Sequence, residues 1–109
     1  MDENCQHATN ATIAAFNAEV ELVKAESSCE SALKIFEIAE SMDADAALRV
    51  NITNKKVMHA QKNGSLDAVL LKELQVANAT LLQTRTNVAH SYNVLQNAQA
   101  VLEGVRARA

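Results

Sequence analysis

Cys5, His7, Cys29, His59 and His90 are the side chains here best suited to metal binding or nucleophilic chemistry. Cys5-Gln6-His7 resembles half of a metal site. Zinc, however, takes about four ligands at tight, repeated spacings, and His59 and His90 lie on other segments. Di-iron bundles use Glu-x-x-His, and no Glu stands three residues before any His. No base is held beside either thiol, and no catalytic triad or phosphate-cradling Gly loop occurs. The expectation is therefore no enzyme, no catalytic residues, no metal and no cofactor. The cysteines leave two readings open. Cys29 can serve as a small core residue, or Cys5, Cys29 or both can form disulfides. On one continuous helix the two thiols would be about 36 Å apart, against the ~4.4–6.8 Å between α-carbons that a disulfide tolerates. Pairing with each other would need a fold-back, and otherwise each would need another chain.

Asn-x-Ser/Thr is the other chemically legible pattern. It occurs at Asn10, Asn51, Asn63 and Asn78. Ten Asn and twelve Ser or Thr in 109 residues would produce about one such triplet by chance. These four are candidate N-glycosylation sites, with Asn63 at the hairpin tip the best-placed acceptor, Asn51 and Asn78 beside the seam and open to shielding, and solvent-facing helix asparagines as the plain alternative.

The elements that would position these residues are helices. Proline is absent, glycine occurs twice, aromatics are 3% and tryptophan is missing. Such a chain has few turns and should be helical and elongated. It should form one helical domain over residues 1–109. In residues 11–60 a heptad runs through Ala11, Ala18, Ala25, Ala32, Ala39, Ala46, Thr53 and Ala60. Its companion line is Ala15, Leu22, Cys29, Phe36, Asp43, Val50 and Val57. The second segment repeats the device, with Leu74, Leu81, Val88, Leu95 and Leu102 beside Leu70, Ala77, Thr84, Ser91, Ala98 and Val105. This is the 3-4 spacing of a coiled-coil seam. Further apolar residues such as Ile35, Ile38, Val69 and Val76 widen each stripe, and a stripe that wide usually touches more than one neighbour.

Asn63-Gly64 can supply the left-handed backbone that ends a helix, and Ser65 is a good N-cap for the next, with Asp67 in its first turn. The fold class that follows is all-α: an antiparallel helical hairpin or coiled coil, with helices over about 3–62 and about 66–107 and a turn at 63–65. A third or fourth helix could complete a bundle. In such a hairpin facing residue numbers add to about 128. That register brings Lys62 near Asp67, Lys55 and Lys56 near Glu73, Asp43 and Asp45 near Arg85, and Lys24 near Glu103. Midway along, Asp43, Thr84, Arg85 and Ser91 would form a polar seam layer that sets register and oligomeric state. The first helix, roughly 90 Å against roughly 63 Å for the second, would overhang at its N-terminal end. A second chain, a fold-back near Ser27-Ser28 or another helix would cover the overhang, or the helix would break near Ser41.

Charge also limits function. The total is −3, which argues against nucleic-acid partners. Residues 1–45 hold ten acids and two bases, and residues 46–109 hold three acids and eight bases, so one half can attract the other or a second copy. No stretch is apolar and long enough to span a membrane. The N-terminal MDENCQHATN is polar and acidic and does not read as a signal peptide.

The Ala-rich heptads, the stretch NAEVELVKAESSCESALKIFEIAES, the two cysteines and the sequons resemble the helical ectodomains of trypanosome surface glycoproteins. That group includes alanine-rich coat proteins and variant surface glycoprotein N-terminal domains. The resemblance is one of style over most of the chain, which is shorter than those domains. It implies an extracellular, lipid-anchored rod that forms a coat or presents a ligand site near its membrane-distal end. The expected function is a helical interaction module at the cell surface, self-associating or binding partner helices. An intracellular, cytoplasmic coiled-coil adaptor with reduced cysteines is the alternative. A small-molecule carrier is disfavoured, because Ala layers bring backbones too close to leave a cavity.

Overall fold

The computed structural model describes the backbone of residues 2–108 and the side chains of residues 8–108. It contains two helices, α1 (Asp2–Lys62) and α2 (Ala68–Arg108), and no strand among the described residues. The fold is the all-α antiparallel helical hairpin that the heptads imply. The packing divides into two compact units, Met1–Leu33 with Val94–Ala109, and Lys34–Asn93.

α1 runs unbroken through Ser27-Ser28 and through Ser41-Met42-Asp43, so neither the fold-back nor the break occurs. The reason is local. No residue before Gly64 is Gly or Pro, and interior Ser or Asp costs a helix only a few tenths of a kcal/mol to about 0.7. His59 and Lys62 in the last turn of α1, and Arg106 and Arg108 in that of α2, sit favourably at the negative ends of the helix dipoles.

The link between the helices differs from expectation at one cap. Gly64 takes φ 69°. Its N–H donates to the Gln61 carbonyl at 3.3 Å, and the Ser65 N–H to the Ala60 carbonyl at 2.8 Å. These two bonds make a Schellman closure of α1. Ser65 is thereby committed to the end of α1 and does not cap α2. The cap is Asp67, whose Oδ1 accepts from the Leu70 N–H at 2.9 Å, while its carbonyl accepts from the Leu71 N–H at 3.2 Å. α2 therefore begins at Ala68 rather than at 66. The same bond occupies the Asp67 carboxylate that the register had placed beside Lys62.

In the unit of residues 34–93, the hairpin buries Ala39, Ala46, Ala60 and Ala77, together with Thr53, Thr84 and Ser91. Phe36 and Tyr92 meet with ring centroids 5.7 Å apart, and Thr84 bonds Asp43. Both pairs obey the expected register. In the other unit, Ala25, Leu102 and Val105 form a core cluster with Leu22 and Cys29 packed on it, and Ala32 and Leu95 are also buried. Every side chain from residue 8 to residue 19 is exposed, including Ala11, Ala15 and Ala18 of the Ala-rich heptad.

Candidate functional site

Three features could carry function: the polar layer within the seam, a trough beside it, and the sequons.

The polar layer is only partly assembled. Thr84 is buried, and its hydroxyl lies 2.9 Å from Asp43 Oδ1 and 2.9 Å from its own helix's Leu81 carbonyl. A hydroxyl has one proton, so it donates to one of these acceptors at a time. Asp43 is half-buried and takes its cross-helix bond from Thr84, not from Arg85. Ser91 is buried, but its hydroxyl donates along its own helix to the Asn87 carbonyl at 2.7 Å. Arg85 is a correction: it is exposed. It lies one residue beyond Thr84, a rotation of about 100°, and this carries it off the seam. Thr53, which reads as an interruption of the Ala line, is buried with its hydroxyl on the Arg49 carbonyl at 2.8 Å. Back-bonding to the preceding turn lets a hydroxyl occupy an apolar layer without a cross-helix partner. No buried side-chain polar atom among the described residues lacks a partner.

The trough was missed in the sequence. Within residues 34–93 one flank of the hairpin carries three adjoining depressions of ≈ 750, ≈ 190 and ≈ 250 Å³. The first two share Asp45, Arg49, Ala77 and Thr80, and the last two share Met42 and Thr84. They form one continuous groove whose floor is the small-residue seam. Its walls carry Ile35, Ile38, Met42, Ile52, Val69 and Val76, all between 47% and 69% exposed. The available signal was the widened apolar stripe, specifically that Ile35, Ile38, Met42 and Ile52 lie on one side of the Ala line.

Asn10, Asn51, Asn63 and Asn78 are all exposed. Asn51 follows Val50 and Asn78 follows Ala77, which turns both away from the trough onto the opposite flank, and the hairpin register sets them level. Asn63 lies in the link, where its Nδ2 is 3.0 Å from His59 Nε2. The structure thus leaves the Asn51 and Asn78 side chains solvent-facing, although both adjoin the seam in sequence.

Cys29 is half-buried and unpaired, packed on the Ala25, Leu102 and Val105 cluster. Cys5 lies outside the residues whose side chains are described. Among the described residues, no group of His, Cys, Asp and Glu is placed to hold a metal ion, and no helix is long and apolar enough to cross a membrane. No protein-family model matches this sequence, and no curated protein or solved structure shows significant similarity to it.

Proposed function

We propose that this chain is a non-enzymatic helical interaction module, a surface-glycoprotein ectodomain or part of one, acting in a coat or in partner binding. The observation that carries this reading is the division of labour among apolar residues. Alanine and small hydroxyl residues take the fully buried positions of the seam of residues 34–93, larger ones such as Phe36, Val57, Leu74 and Leu81 are half-buried beside them, and the large side chains along the trough are left outside. Contiguous exposed apolar surface rimmed by polar groups marks interaction sites in soluble proteins. The exposure of all four sequon asparagines supports a surface glycoprotein.

A cytoplasmic coiled-coil adaptor is the second reading, favoured by the unpaired Cys29 in its apolar cluster. Glycosidase treatment and mass mapping of the protein purified from its native source separate the two. The surface reading expects glycan on at least one of Asn10, Asn51, Asn63 and Asn78. Unmodified asparagines at all four sequons would sink it and leave the adaptor. Light-scattering chromatography with and without reductant adds a second readout. Reductant-sensitive assembly supports the extracellular reading, and reductant-insensitive assembly supports the adaptor.

A further inference from the structure

The trough commits the interaction reading to a particular partner and register. We propose that its occupant is a second copy of this chain, packed antiparallel about a two-fold axis that passes beside position 47 of α1. This rests on the interaction-module reading and deepens it.

A two-fold interface sets each residue against its mirror-related mate, so the surface must be self-complementary. The middle of the α1 wall of the trough has that property. Asp45 and Arg49 lie one helical turn apart at its middle, both exposed. An axis between them places each acid against the other copy's base. Met42 and Ile52 stand equally far on either side of this midpoint. Met42 of each copy therefore meets Ile52 of the other, on both sides of the charged pair. Ile38 mirrors Lys56, whose methylene stem can cover apolar surface while its ammonium stays in water. The floor of Ala39, Ala46, Thr53, Ala77 and Thr84 is made of small residues that accept the partner's Met and Ile side chains as knobs. A foreign helix would need one apolar stripe and no mirrored acid and base, so the charge pattern favours self-pairing. Asn51 and Asn78 lie on the opposite flank, where glycan would leave the trough open.

The test is a charge swap on the full chain, read by sedimentation velocity over a concentration series. Asp45→Arg sets like charges against each other across the axis, and so does Arg49→Asp. Each variant alone should dimerise at least ~10-fold more weakly than wild type. An equimolar mixture of the two should recover the wild-type affinity, because each variant supplies the charge the other lacks. Both positions are exposed, and circular dichroism should show unchanged helix content. Recovery in the mixture separates pairing between chains from an interaction within one helix. If both variants dimerise as wild type does, the trough is not the interface, and self-association through another face keeps the interaction reading intact. If wild type stays monomeric across the series, the two-fold pairing is overturned, and the interaction reading is then judged by its glycan test.

Discussion

The two units solve the same packing problem with different chemistry. In the unit formed by residues up to 33 and from 94, the buried positions include Leu95, Leu102 and Val105, and Leu22 and Cys29 pack on the cluster. In the unit of residues 34–93 the buried apolar positions are all alanine, and the three buried polar residues among the described residues, Thr53, Thr84 and Ser91, all belong to it. Both units half-bury larger side chains beside their buried ones: Leu22 and Cys29 in the first, and Phe36, Val50, Val57, Leu74, Leu81 and Val88 in the second. The second unit differs in that every residue it fully buries is small, and a further row of large side chains stays exposed along its flank. That row is free for a neighbour.

This contrast makes predictions of graded size. Leu102→Ala should be the most damaging substitution, destabilising by about 2–5 kcal/mol through lost burial and a residual cavity. Urea unfolding measures it, and a loss under ~1 kcal/mol would dissolve the distinction between the units. Ala39→Leu should cost about 1–3 kcal/mol by overpacking the seam, and Ala32→Leu, buried on the same alanine line within the first unit, should behave similarly. Unchanged melting temperatures for both would refute close approach. Thr84→Val should cost about 1 kcal/mol, because it removes the cross-helix hydrogen bond to Asp43 and leaves that carboxylate to water. Asp43→Leu should not destabilise, and its effect should appear instead as a broader distribution of oligomers in light scattering. A single unchanged species would remove the register role from Asp43.

The link gives effects of ~1 kcal/mol or less and the sharpest check on capping. Gly64→Ala should cost about 1 kcal/mol. No neighbour lies near enough to clash with an added methyl group, so strain at φ 69° is the whole cause. Asp67→Ala should cost a similar ~1 kcal/mol as a lost N-cap. Ser65→Ala should change stability by less than ~0.5 kcal/mol, since its structural contribution is mainly through the backbone N–H. Thermal melts of the three side by side would expose a wrong assignment if Ser65→Ala proved as costly as Asp67→Ala.

Helix content, hairpin topology and register were all readable from periodicity, because a heptad specifies which residues meet before any contact is seen. Phe36 with Tyr92 and Asp43 with Thr84 follow from that arithmetic. The cap at the start of α2 was not readable. Ser65 and Asp67 are both good caps in isolation, and the Schellman bonds that claim Ser65 exist only once Gly64 has turned. Arg85 was misplaced for a related reason. Charge complementarity along the chain pointed to Asp43, but one step of helical rotation moved the guanidinium off the seam while the neighbouring hydroxyl stayed in it.

The order of residues therefore determined two long helices, their turn at Asn63-Gly64 and the small-residue line along which they pack, since these depend on spacing and backbone propensity alone. Tertiary structure decided which apolar side chains would be left over. An apolar stripe wider than the seam states only that some of it must face elsewhere. The trough from Ile35 to Val69 appears once two helices lie side by side, because a groove is a property of the space between two backbones.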